Sequence, residues 1–143
     1  MFGLLLNDDA RLIPWAEEKI GGPYAADAMA VGWGDSESVR AVLVYDCWSP
    51  EQCHVHITSD GSGRFITRKF LAAGFYFPFV VHGRHRITGL IPRSNVPSLR
   101  FARHLGMKHE GTMREAATGR SDMIVLGMLR SECRFLPKDL RGE

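Results

Sequence analysis

The period of the hydrophobic positions changes several times along the chain, and each change marks an element. Residues 8–20 begin with two aspartates and continue with Leu12, Ile13, Trp15, Ala16 and Ile20. That spacing predicts a short amphipathic helix with Asp8 or Asp9 as N-cap, closed by Gly21-Gly22. Pro14 lies inside it and weakens its first turn. Residues 27–34 and 39–48 read as two strands joined by a turn at 35–38, a hairpin. Ser49-Pro50-Glu51 breaks the chain, and residues 52–58 form a third strand. In it Cys53, Val55 and Ile57 alternate with His54, His56 and Thr58, so the two sets face opposite sides.

A glycine-rich turn, Ser59-Asp60-Gly61-Ser62-Gly63, precedes a return to helical spacing. Phe65, Ile66, Phe70, Ala73 and Phe77 predict a helix over 62–77, disturbed at its end by Pro78. Residues 84–92 form a further strand. Asn95-Val96-Pro97-Ser98 opens a helix over 95–105, with Phe101, Ala102 and Leu105 as its apolar stripe and Gly106 as its stop. Two strands, 107–116 and 121–130, close the series around the turn Thr118-Gly119-Arg120. No repeat or low-complexity linker interrupts it, so the reading is one α/β (α+β) domain over 1–143, with helices flanking a mixed sheet.

Composition narrows the class. At 143 residues, 45% hydrophobic and 24% charged, the chain suits one packed domain. A formal net charge of +2 gives little reason to expect a nucleic-acid partner, but leaves arginines for an anionic small molecule. No run of roughly 18 apolar residues predicts a membrane span. The apolar start at 1–7 is too short for a signal peptide and is followed at once by aspartates. Cys47, Cys53 and Cys133 are odd in number and lack CxxC spacing, which argues against a disulfide framework or a zinc site. Reduced cysteines in the cytoplasm are the expectation.

The segment Thr58-Ser59-Asp60-Gly61-Ser62-Gly63-Arg64 carries candidate chemistry. A glycine-rich turn opening a helix gathers backbone N–H groups around an anion, and the helix dipole adds positive potential. Arg64 and Arg68 would add charge-assisted bonds. The plain alternative is a loop with a helix cap. No Lys-Ser or Lys-Thr follows, so it is not a P-loop. His54 and His56 share one strand face and leave three roles open: packing, a general base near neutral pH, or metal ligation.

Asn95-Val96-Pro97-Ser98, followed by Phe101-Ala102-Arg103-His104-Leu105-Gly106-Met107 and then Glu110-Gly111-Thr112-Met113-Arg114, resembles the GNAT acetyltransferase pattern. The likeness is strongest to the Rim-type ribosomal-protein N-terminal acetyltransferases and spans about 52–133. It implies the GNAT acyl-CoA N-acyltransferase fold, with a mixed, mostly antiparallel sheet. It also implies acetyl-CoA as co-substrate and a primary amine as acceptor, either a small molecule or a peptide N-terminus. By this resemblance Thr58, Gly61, Ser62, Gly63 and Arg64 fall in the pyrophosphate loop, while Asn95 and Arg103 belong to the cofactor side. Acetyl-CoA would lie between strands splayed near 54–58 and 86–90. His56 is the candidate base and Ser98 the candidate acid for the leaving thiolate. Glu110 is a second candidate base or a structural residue. Three departures stand out: Thr58 for Gln or Arg, Met107 for Phe, and Ala102 where many relatives carry a proton-donating Tyr. The rival is a catalytically inactive binding or structural module of GNAT-like fold, a type known among phage-encoded proteins. Whether the chain forms a homodimer stays open.

Overall fold

The computed structural model describes residues 1–63 and 65–142. Its first element is one the sequence pattern left unassigned: β1 (Gly3–Leu5), an edge strand antiparallel to β2 (Met29–Gly34). Three residues are too few for alternation to be read, and pairing alone makes them a strand. Between them runs α1 (Asp9–Ile20), ended by Gly21 in the left-handed region at φ 79°. Asp8 holds the N-cap position without a side-chain capping bond, because its carboxylate pairs with Arg11 at 2.8 Å. Asp9 instead accepts the Ala30 N–H, tying the helix to β2. The helix continues through Pro14; Pro14 and Ala10 are both exposed, so solvent can satisfy the carbonyl that lost its donor.

β3 (Val39–Asp46) completes the predicted hairpin with β2, and β4 (Gln52–Ser59) adds antiparallel to β3 without a register shift. The Asp35 carboxylate accepts the N–H groups of Glu37 and Ser38 and holds the hairpin turn.

The helix expected over 62–77 begins later. α2 is Arg68–Tyr76, with Thr67 as N-cap accepting the Phe70 N–H at 3.1 Å. Thr67 supplies a capping hydroxyl that glycine cannot. Beyond Tyr76 the chain does not stop at Pro78 but continues as a π-helical turn, Phe77–Val81, closed by the His82 N–H on the Phe77 carbonyl. Burial of Pro78 and Phe79 holds this turn against the sheet. β5 (Arg86–Pro92), α3 (Val96–Leu105), β6 (Lys108–Met113) and β7 (Met123–Leu129) follow as expected, with trimmed ends.

The seven strands form one sheet in the order β1-β2-β3-β4-β5-β7-β6. Among the described residues only β4 and β5 run parallel; every other pair is antiparallel. Alternation divides the apolar residues between two faces. Ala30, Val42 and Val44 meet Leu12 and Ala16 of α1 on one face. Val31, Leu43, Tyr45, Cys53 and Ile87 meet Phe70 and Phe75 of α2 on the other. On that second face α3 packs Ala102 against Ile124 and Leu126 of β7. Each large buried side chain contributes about 1.5–3 kcal/mol. Tyr45 is fully buried, and its hydroxyl donates to the Gly74 carbonyl at 2.6 Å, fixing α2 over β3.

Candidate active site

The sheet opens at its one parallel junction. β4 and β5 pair only over Gln52↔Arg86, Cys53↔Ile87 and His54↔Thr88, and then diverge. The splay therefore starts just beyond His54 and Thr88, inside the expected stretches 54–58 and 86–90, of which 54 and 86–88 are still paired. Backbone parity tells which groups face the gap. The Asp60 N–H bonds the Arg40 carbonyl, so even residues of β4 face β3 and Ile57 faces away from it. The Arg86 N–H bonds the Glu51 carbonyl, so Leu90 of β5 faces β4. Beyond the last paired residues, Ile57 and Leu90 thus direct backbone donors and acceptors into the gap.

A cavity of about 220 Å³ occupies it, mostly apolar, and it reaches both faces of the sheet. On the α1 side its wall carries Tyr24, His56 and Thr58; on the α2 and α3 side it carries Phe75, Ser98 and Ala102. Four of the residues singled out from sequence, His56, Thr58, Asn95 and Ser98, line it together.

His56 Nε2 lies 2.7 Å from Asp46 Oδ1. Asp46 is 4% exposed, and its other oxygen accepts the Ala25 N–H at 3.1 Å. A carboxylate only accepts, so Nε2 carries a proton, and in the neutral ring the lone pair is on Nδ1. The Tyr24 ring packs on the imidazole with centroids 5.1 Å apart, and its hydroxyl meets Thr58 Oγ1 at 3.2 Å. Burial, the largest effect, raises the Tyr24 pKa, so the phenol stays neutral. Asp46 and Tyr24 were missed in the sequence. Asp46 sat at the end of a predicted strand, ten positions from His56. Only the β3–β4 register, Val44↔His56 and Asp46↔His54, makes them neighbours.

Ser98 stands in the first turn of α3. Its N–H is capped by Asn95 Oδ1 at 3.3 Å, so Asn95 is the capping residue and Ser98 the capped one. Among the described residues the Ser98 hydroxyl has no hydrogen-bond partner. Ala102 lies one turn further along the same wall, where its methyl offers no proton.

The glycine loop differs from the sequence expectation. Gly61 and Gly63 take φ 84° and 74°, as a tight turn requires, but the loop does not open α2, whose cap is Thr67. The loop also engages donors of Gly61 and Ser62 internally. The Gly61 N–H goes to Ser59 Oγ, and Asp60 Oδ1 accepts both the N–H and the hydroxyl of Ser62. These bonds, together with Arg40 at 3.1 Å, lower the Asp60 pKa to about 2. Gly61, Ser62 and Gly63 are exposed and lie outside the cavity wall, as does the exposed Arg103. Arg64 lies outside the described residues. Glu110 is held by Arg86 through both its oxygens, the nearer contact at 2.6 Å, which lowers its pKa. It does not line the cavity, so it is a structural ion pair.

No protein-family model matches the sequence, and no curated protein does. Solved structures do match in shape. A mutant of the spermidine N-acetyltransferase SpeG from Vibrio cholerae superposes with a TM-score of 0.73 over 97% of this chain and 97% of that one, at 14% identity. The ribosomal-protein-S5-alanine acetyltransferase of Vibrio fischeri gives 0.68 over 95% and 94%, at 15% identity. The match takes in the first 51 residues, where the sequence offered only an order of elements. Together with the mixed sheet and its single splayed parallel junction, this establishes that the chain has the GNAT acetyltransferase fold.

Proposed function

We propose that the protein is an acetyl-CoA-dependent N-acetyltransferase that passes the acetyl group directly to a primary amine, on one domain spanning 1–143. The observation carrying this reading is a cavity that runs through the sheet, with an imidazole–carboxylate pair on one face and an unengaged hydroxyl on the other. Two reactants entering from opposite faces would meet between β4 and β5. The fit to the co-substrate rests on the backbone groups of Ile57 and Leu90, which suit an extended, amide-bearing arm laid between the strands.

Acetyl-CoA would supply an acetyl group activated as a thioester. The Ile57 N–H would bond the thioester oxygen and stabilise the negative charge that grows there as the amine attacks. His56 Nδ1 would take the proton released by the amine as the carbon–nitrogen bond forms. Asp46 holds the ring in the required tautomer and stabilises the imidazolium. Ser98 would pass a proton to the thiolate as the carbon–sulfur bond breaks and regain one from solvent, to which His56 gives up the proton taken from the amine. No covalent enzyme intermediate is required, so the cysteines take no part. The acceptor class follows the solved relatives, one named for spermidine and one for a ribosomal-protein alanine: a small amine or a peptide N-terminus.

A second reading, a non-catalytic binding module, is favoured by two observations: Ala102 offers no proton, and the glycine loop turns the Gly61 and Ser62 N–H groups inward. One experiment separates the two. A panel of polyamines and peptide N-termini is incubated with acetyl-CoA, and thiol release is followed. Acetylation of any member supports the enzyme. Cofactor binding without acetylation of any amine supports the module.

A further inference from the structure

Asp46 touches a second group of side chains besides His56. β3 ends at Asp46, and the next residue, Cys47, leaves the extended conformation with φ 53°, in the left-handed region that non-glycine residues rarely adopt. Asp27 holds this turn by accepting the N–H groups of both Cys47 and Trp48 at 2.9 Å. In a continuing strand the Cys47 thiol and the Asp46 carboxylate would face opposite sides of the sheet. The turned backbone instead brings them together. An Asp46 oxygen, Cys47 Sγ and a His54 ring nitrogen all lie within 4.8 Å of one another. Asp46 and His54 are directly opposed in the β3–β4 register.

We propose that Asp46, Cys47 and His54 form a binding site for a divalent ion of the zinc type. The donor set is one thiolate, one imidazole and one carboxylate, the combination that borderline-soft divalent ions select over magnesium or calcium. Tetrahedral zinc bonds of about 2.0–2.3 Å place ligand atoms roughly 3.3–3.8 Å apart, so the three side chains need only small rotations to close on the ion. Asp46 is buried and fixed by the Ala25 N–H, while Cys47 is exposed, so the site has a rigid floor and an open approach. Binding converts the Cys47 thiol to a zinc thiolate and releases one proton to solvent, so affinity rises with pH. An open fourth position is left for water. The ion and His56 draw on the same carboxylate, so occupancy would loosen the hold of Asp46 on the imidazole.

The test uses the full chain, stripped of metal with a chelator. Zinc chloride is titrated calorimetrically, and cobalt is followed by its thiolate charge-transfer absorption. The expected result is saturable one-to-one zinc binding and a cobalt–thiolate band. Cys47→Ser should abolish the band, and both Cys47→Ser and His54→Ala should weaken zinc at least about tenfold. Unchanged melting temperatures in chelator would show that both variants fold. Absence of saturable binding at about 100 µM zinc, a Kd too weak to specify a site, overturns the proposal. So does equal zinc affinity in the wild type and both variants, which would place the ion elsewhere.

Discussion

At the scale of single residues, His56 is a candidate base because, among the described residues, one of its nitrogens is committed and the other is not. Nε2 is held by Asp46, and the ring is flanked by Tyr24. His56→Ala should lower turnover by about 10²–10⁴, the range of general base catalysis, with acetyl-CoA affinity little changed. Asp46→Asn should lower it less, because the imidazole remains and only its orientation and counter-charge are lost. Ser98→Ala should cost about tenfold to a few hundredfold in turnover, since water can replace a hydroxyl as acid. Normal turnover with a lower melting temperature would assign Ser98 to the helix instead. The cysteines give a separate check. Cys47 is exposed, and its pKa is raised by desolvation and then by Asp46 and Asp27. Cys53 is buried, with its pKa pushed up to about 12, and Cys133 is buried with its pKa raised. A thiol reagent should therefore modify one cysteine in the native protein, faster as pH rises above the ordinary thiol range. The other two should react only after unfolding.

At the scale of elements, two attachments decide how the layers sit. Tyr45 joins β3 to α2 through its bond to the Gly74 carbonyl. Tyr45→Phe keeps the ring but strands a buried acceptor, and should cost about 1–3 kcal/mol in denaturant unfolding. Gly34 lies at the bulge where β2 leaves β3, and a Cβ there would sit 2.2 Å from the Ser38 carbonyl oxygen. Backbone cannot rotate aside as a side-chain tip can, so Gly34→Ala should destabilise by about 1–3 kcal/mol. The glycine loop allows a test of the phosphate role. Asp60 occupies the Ser62 donors and places a negative charge where a pyrophosphate would bind. If the loop binds phosphate, Asp60→Ala should tighten acetyl-CoA by a factor of a few. Gly63→Asp should abolish binding, since it adds a charge and a side chain at φ 74°. Unchanged affinity in both variants, measured calorimetrically, would move the anion site elsewhere.

At the scale of the molecule, the helices divide the labour. α1 covers the face carrying His56, while α2 and α3 cover the other face and α3 itself bears Ser98, and the splayed junction joins the two. A ligand bound there contacts both layers, which separate on unfolding. Acetyl-CoA should therefore raise the melting temperature by mass action, by about 2.7 kcal/mol of stability at a hundredfold excess over its Kd. No helix among the described residues is long and apolar enough to cross a membrane.

The local pattern was enough for most elements. The alternation in β4 put His54, His56 and Thr58 on one face, and Asn95, Pro97 and Gly106 bounded α3, because strand parity and helix caps depend on neighbours a few residues away. The family-like motif at 95–114 added the fold. The sequence did not place the start of α2, since glycine spacing and apolar spacing overlapped between 62 and 67 and only the Thr67 cap resolved them. Nor did it reveal β1, which is too short to show a period. The sequence named His56, Thr58, Asn95 and Ser98, but only the tertiary structure assembled them into a site. Asp46 meets His56 through a register between two strands, and Cys47 meets Asp46 and His54 through one left-handed residue. The cavity exists because two parallel strands stop pairing after three residue pairs. Register, turn handedness and splay are relations between segments, set by packing on both faces of the sheet, and no single segment encodes them.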